Sequence, residues 1–133
     1  MTPEARDYLV KGRRDLSDAR EIMRISLANV AARSAYFAVF HAAEALIFEQ
    51  TGRTAKTHRG VRTEFARLAK DHPRIPKDLP EFLAQAYSYK EIGDYSVNPE
   101  ESVTMQNAEH AITAAANFLD CIEAVLTIDG VTK

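Results

Sequence analysis

The amino-acid sequence predicts an all-α protein, a bundle of about five helices that forms a single domain over residues 1–133. Apolar residues recur every three or four positions along most of the chain, which is the spacing of one helix face. The chain contains five Gly and five Pro, too few for an all-β fold with many tight turns. With 46% hydrophobic residues, it can build one core without disulfides or metals.

The first two predicted helices follow one another with no glycine or proline at their junction. Thr2 is a suitable N-cap for the first helix, whose apolar stripe continues to about Ser26. The second helix is predicted from about Ala28 to Thr51, where Gly52 should end it. Alanines spaced by three and four residues give it a face that allows another helix to approach closely. Because its other faces are also apolar, it should lie in the middle of the bundle.

Capping residues and breakers indicate three further helices. The third should begin near Thr57 and end before Pro73. Asp78 and Glu81 have the spacing of a capping box for the fourth helix. Asn98, followed by a proline and two glutamates, predicts the start of the last helix.

Charge is distributed unevenly along the chain, although the formal net charge is only −2. Residues 1–52 hold equal numbers of basic and acidic side chains. Residues 53–77 hold eight basic and two acidic side chains, a net charge of +6, whereas residues 78–133 have a net charge of −8. The basic segment suits a phosphate-bearing partner such as nucleic acid, or an acidic protein surface.

Cysteine content and apolar runs predict a soluble, cytoplasmic protein that does not associate with membranes. The single Cys121 excludes an internal disulfide and is interpreted as a buried structural thiol. The N-terminal residues lack the apolar run of a signal peptide. The longest apolar run, over residues 34–48, is interrupted by His41 and Glu44 and is shorter than the roughly 20 residues that span a bilayer.

Three polar residues, Arg33, His41 and Glu44, lie on one side of the second predicted helix, where they are either catalytic or structural. None of the four histidines has a glutamate three residues before it, and no zinc-protease motif occurs. We therefore expect no metal and no cofactor. We interpret the three residues as structural polar groups of the interior or of a subunit interface, with a hydrogen bond from His41 to Glu44.

The basic segment supplies the better binding candidates. Lys56, His58, Arg59 and Arg62 lie at or near the start of the third helix, where cations and free N–H groups favour phosphate. An ordinary solvated face, or a surface for an acidic partner, is the alternative. Four tyrosines are interpreted mostly as core or interface aromatics, although one of them could stack on a base, namely Tyr36, Tyr87, Tyr89 or Tyr95.

Three segments, ARSAYFAVFHAAEALIFEQTG, KTHRGV and KEIGDY, resemble the HEPN domains of prokaryotes. The likeness extends from about residue 5 to 126 and is strongest with small single-domain HEPN proteins that are often encoded beside a minimal nucleotidyltransferase. It implies an up-and-down helical bundle that pairs into a homodimer with a cleft between the subunits. It also implies a nucleotidyltransferase partner, as in a toxin–antitoxin-like pair.

Many HEPN proteins are metal-independent RNases whose signature is an Arg four to six residues before a His, near the dimer cleft. The resemblance places KEIGDY at this position, so that Lys90 replaces the Arg, Tyr95 replaces the His, and Asp94 also lines the cleft. Lysine keeps the charge but loses the bidentate fork, and a tyrosine hydroxyl keeps its proton near neutral pH. The nuclease motif is therefore degenerate on this alignment.

Two other pairs have the Arg-x4-His spacing, Arg53 with His58 and Arg67 with His72, and the first is the candidate catalytic pair. The sequence favours a HEPN protein that binds RNA or nucleotide phosphate. An active metal-independent RNase, and a protein-interaction module without a nucleic-acid role, are the alternatives.

Overall fold

The computed structural model of the protein describes residues 1–132, with side chains described as far as Gly130. Its five helices are α1 (Pro3–Arg24), α2 (Ala28–Thr51), α3 (His58–Lys70), α4 (Asp78–Tyr95) and α5 (Met105–Thr132). No strand occurs among the described residues, and the predicted all-α class is confirmed. Only the last residue of the predicted single domain, at position 133, lies outside the described part of the chain.

The caps of the first three helices agree with the sequence prediction. The Thr2 side chain accepts a hydrogen bond from the Ala5 N–H at 3.2 Å and begins α1. Helix α2 ends at Gly52, whose φ of 76° lies in the left-handed region that favours glycine. The Thr57 side chain accepts a bond from the Gly60 N–H at 2.9 Å and begins α3.

The predicted capping box at the start of α4 is wrong. Lys77 occupies the cap position in a helical conformation, no side chain caps the helix, and Asp78 is already its first residue. The turn before α4 is instead closed by the Leu79 N–H, which donates to the Pro76 carbonyl at 3.2 Å. A backbone turn therefore begins α4, where the sequence predicted a side-chain cap.

The predicted start of α5 at Asn98 is also wrong. The Asn98 side chain accepts a bond from the Glu100 N–H at 3.0 Å, which makes a local turn before the helix. Helix α5 begins at Met105, where Thr104 and Asn107 cap each other's backbone N–H groups at 3.0 and 3.1 Å. Thr104, rather than Asn98, lies next to the apolar run of α5.

Helix α2 is the centre of the bundle and contacts each of the other four helices, as its apolar composition predicts. Gly12 of α1 lies against the backbone of Ala38, where an added Cβ would be 2.8 Å from the carbonyl oxygen. The predicted close approach to the alanine face is confirmed. Phe65 of α3 and Phe118 of α5 are fully buried, with ring centroids 5.2 Å apart, and join their helices in the core.

Helices α2 and α5 are each long and apolar enough, by length and composition alone, to cross a membrane. The core helix of a soluble bundle passes the same test, and 67% of the apolar window of α2 is buried against the other helices. Two such helices give little support for a membrane span, and the absence of membrane association stays a prediction.

Candidate functional site

The segment that the resemblance placed at the RNase motif forms the last turns of α4. The Lys90 side chain is buried, and its Nζ lies 3.0 Å from Asp94 Oδ2, one helical turn further on. The same Nζ lies 5.3 Å from the ring centroid of Tyr95. The hydrogen bond to Asp94 raises the pKa of Lys90, so the lysine is charged and already partnered within the motif.

Arg33 of α2 completes this arrangement from the neighbouring helix. Its Nε lies 3.3 Å from Asp94 Oδ1, and its guanidinium carbon lies 5.0 Å from the Phe37 ring centroid. Partial burial opposes ionisation of Asp94, but hydrogen bonds from Lys90 and Arg33 outweigh it and lower the Asp94 pKa. We call Arg33, Lys90 and Asp94 the Asp94 cluster, which carries one positive charge in excess.

The interior assignment of Arg33 is therefore wrong, because half of its side chain is exposed. Its bond to Asp94 was not predicted from the sequence, because it joins residues 61 positions apart. The one sequence feature that could have indicated an exposed position is the length of the arginine side chain, which can leave an apolar helix and reach the surface. The alternative position at a subunit interface stays a prediction.

Helix α3 divides the predicted phosphate contacts between two environments. Lys56 and Arg59 are exposed, and Arg59 lines an open cleft of about 510 Å³ together with Arg53, Thr57 and Thr63. This cleft lies between the end of α2 and the start of α3. Arg53 and Arg59 are exposed there, and Glu64 is the acidic residue of the same lining.

His58 and Arg62 instead face α2 and α4. The Tyr36 hydroxyl, whose pKa burial raises far above the ordinary value, forms a hydrogen bond with His58 Nδ1 at 2.5 Å. Burial, followed by the charges of Lys90 and Arg62, lowers the pKa of His58 and keeps its ring neutral at neutral pH. The guanidinium carbon of Arg62 lies 4.1 Å from the Tyr87 ring centroid.

The structure does not bring together either of the Arg-x4-His pairs. Arg53 lines the open cleft, whereas His58 packs against Tyr36 on the other side of the helix start. In the second pair, Arg67 forms an ion pair with Glu64, and His72 Nε2 lies 3.2 Å from Asp129 Oδ2. In neither pair are the arginine and the histidine placed so that both could contact the same atom of a substrate.

The predicted hydrogen bond between His41 and Glu44 is confirmed, with Nδ1 and Oε1 2.7 Å apart. Asp15 of α1, whose Oδ2 lies 3.6 Å from His41 Nε2, was not predicted to take part. Burial raises the pKa of Asp15, although the charges of His41 and Lys11 oppose the shift. His41 thus joins two carboxylates between α1 and α2, an arrangement that fits the structural role predicted for it.

The remaining candidate, Cys121, is partly buried, and its thiol donates a weak hydrogen bond to the Arg74 carbonyl at 3.6 Å. Burial, followed by the nearby Asp78 charge, raises the pKa of this thiol, which disfavours the reactive thiolate. Among the described residues, no three His, Cys, Asp or Glu side chains lie close enough to hold a metal ion.

The fold and its site define an all-α bundle with surface cations where α2, α3 and α4 meet. A family model described as the HEPN domain matches residues 5–125, and the chain belongs to this family. The crystal structure of TT1696 from Thermus thermophilus has a similar fold, with a TM-score of 0.77 and 24% sequence identity. The similarity covers 92% of this chain and 98% of that chain. No curated protein matches the sequence.

Family membership confirms the resemblance drawn from the sequence and supports a nucleotide- or RNA-related role in general terms. The likeness to TT1696 supports the fold alone. The particular function must therefore be argued from the side chains of this chain.

Proposed function

We propose that this HEPN protein binds RNA or nucleotide phosphate and that its family nuclease motif is replaced by Lys90 and Tyr95. The observation that carries the proposal is the Asp94 cluster. At the motif position a buried lysine is bonded to Asp94, and Arg33 bonds the same carboxylate. Such a cluster can attract a phosphate through its excess positive charge, but the motif supplies no imidazole for proton transfer.

The exposed cations of the α3 start are proposed to supply most of the phosphate affinity. Arg59 has no carboxylate partner among the described residues, and it lines the same cleft as Arg53. Lys56 is exposed beside them. Arginine and lysine contacts to phosphates release counterions from the nucleic acid, so the affinity should fall steeply as salt is added.

The test is a mobility-shift and cleavage assay with end-labelled mixed RNA in EDTA. We expect the wild-type chain to shift intact RNA at low salt. Lys56→Glu/Arg59→Glu should bind at least about tenfold more weakly, with a salt slope lower by about two, because two phosphate contacts are lost. The matched control is Lys11→Glu/Arg20→Glu, which makes the same charge change at exposed positions of α1.

Equal weakening by both double variants would mean that overall charge, rather than the α3 start, determines binding. No RNA binding at low salt would contradict the proposal and favour a protein-interaction module. Cleavage by the wild-type chain that His58→Ala abolishes, with the fold intact, would instead identify an active RNase.

We also propose a homodimer in which the Asp94 cluster lies near the subunit boundary. Val30 and Tyr95 are exposed by 47% and 70%, and they flank the contact at which Arg33 bonds Asp94. Apolar side chains beside a partly desolvated ion pair suit a subunit surface. Light scattering should give twice the mass of a 14.8 kDa chain, and Val30→Glu should shift the protein toward monomer. A monomeric wild-type chain would contradict this assembly.

As family resemblance implies, we propose that the homodimer works in the cytoplasm with a minimal nucleotidyltransferase, in a toxin–antitoxin-like pair. A gene for such an enzyme should lie beside the gene for this chain, and the two proteins should co-purify when expressed together. Failure to co-purify with the neighbouring gene product, or no such gene, would contradict the pairing.

A further inference from the structure

A group of partly exposed rings lies where α3 begins, beside the Asp94 cluster. The His58 ring centroid is 4.7 Å from that of Phe40, 5.7 Å from that of Tyr87 and 6.0 Å from that of Phe37. Each of these four side chains keeps part of its surface exposed. We call Phe37, Phe40, His58 and Tyr87 the ring cluster, and its members come from three helices.

The Tyr36 bond fixes the hydrogen-bonding direction of His58. Tyr36 is fully buried, and His58 Nδ1 is the hydrogen-bond partner of its hydroxyl among the described residues. We assign the proton of this bond to Tyr36, because the buried hydroxyl keeps its proton and has Nδ1 as the acceptor within reach. A neutral imidazole that accepts at Nδ1 carries its own proton on Nε2. His58 therefore presents an N–H donor, without a full positive charge, among aromatic side chains.

Arg62 adds a second donor, one helical turn after His58. Its guanidinium carbon lies 4.1 Å from the Tyr87 ring centroid, which is a stacked cation–π contact. The Nη1 atom of Arg62 is buried and has no hydrogen-bond partner among the described residues. A buried donor left without an acceptor is costly, and a bound group would remove this cost once the Arg62 side chain turns to present Nη1 to it.

We propose that the ring cluster and Arg62 bind one unpaired base of single-stranded RNA. The aromatic faces stack on the base, and the N–H groups of His58 and Arg62 donate to acceptor atoms on its edge. This inference rests on the proposed RNA binding and deepens it, because it assigns a base contact where the proposed function assigns only phosphate contacts. An unpaired base offers both a flat apolar face and carbonyl or ring-nitrogen acceptors.

The test compares two labelled RNA oligomers of about eight nucleotides, one with all its bases and one with abasic sites at its internal positions. Both carry the same phosphates, so only the first can stack. Tyr87→Leu should bind the oligomer with bases about 5- to 100-fold more weakly, which is the effect of losing one stacked base. The same variant should bind the abasic oligomer as the wild-type chain does.

Tyr87→Phe is the matched control, because it keeps the ring and removes only the hydroxyl that donates to Glu91. It should keep the preference for the oligomer with bases, because the ring is retained. Circular dichroism and light scattering on each variant report the fold and the subunit number. The proposal predicts that neither changes in Tyr87→Leu.

Several results distinguish a failure of the base site from a failure of the proposed RNA binding. If the wild-type chain binds both oligomers equally, phosphate binding stands and the base site is refuted. If it binds neither at low salt, the proposed function fails and the base site with it. Unchanged affinity in Tyr87→Leu, or an equal loss for the two oligomers, overturns the stacking role. Dissociation of a dimer by Tyr87→Leu would assign the ring cluster to a subunit interface instead.

Discussion

Lys90→Arg combined with Tyr95→His is expected to produce RNA cleavage in EDTA at least about 100-fold above that of the wild-type chain. The double change restores the Arg-x4-His spacing of the family motif at the end of α4. The guanidinium fork can bind a phosphate through two parallel hydrogen bonds, which a lysine cannot do. The imidazole can move a proton near neutral pH, and position 95 is 70% exposed in the single chain.

The matched control is Lys90→Arg with Tyr95→Asn, which restores the guanidinium and places a polar group of similar size at position 95. It should bind RNA like the first variant but leave the RNA intact, because an amide does not titrate. Cleavage is measured with end-labelled RNA in EDTA, using protein from parallel purifications. Intact RNA with both variants would contradict the assignment of KEIGDY to the motif position.

The helices themselves were predictable from local sequence, because each depends on signals a few residues apart. Gly52 ends α2 as predicted, since only the left-handed conformation closes the helix there. The starts of α4 and α5 were not predictable in the same way. Asp78 and Asn98 have good cap chemistry, but a backbone turn begins α4, and Thr104 begins α5 beside its apolar run.

The site was less predictable than the fold, because its contacts join residues that are distant in the chain. Resemblance located Lys90, Asp94 and Tyr95, and the Lys90–Asp94 contact lies within one helical turn. No sequence pattern indicated that Arg33 would reach Asp94 or that Tyr36 would donate to His58. Those contacts depend on how α3 and α4 pack over α2, which only the assembled bundle determines.

The packing of α1 on α2 yields the largest expected effect on stability. Gly12→Ala should lower the free energy of unfolding by about 1–3 kcal/mol, the usual cost of overpacking a core. An added Cβ would be 2.8 Å from the Ala38 carbonyl oxygen and 3.0 Å from Leu119 Cδ2. The nearer atom belongs to the backbone of the central helix, so no side-chain rotation relieves the contact. Urea denaturation at one fixed protein concentration measures the change.

Gly93→Ala is the control, since Gly93 also lies in a helix and an added Cβ there would also meet an oxygen at 2.8 Å. That oxygen is Oδ1 of Asn29, the end of a flexible side chain that can turn away. The stability of this variant should stay within about 1 kcal/mol of wild type, because alanine favours the helix and offsets the lost Asn29 bond. Equal effects at positions 12 and 93 would show that loss of glycine, rather than the α1–α2 approach, controls stability. A cost confined to position 12 would show that the approach of the two helices requires an unsubstituted Cα.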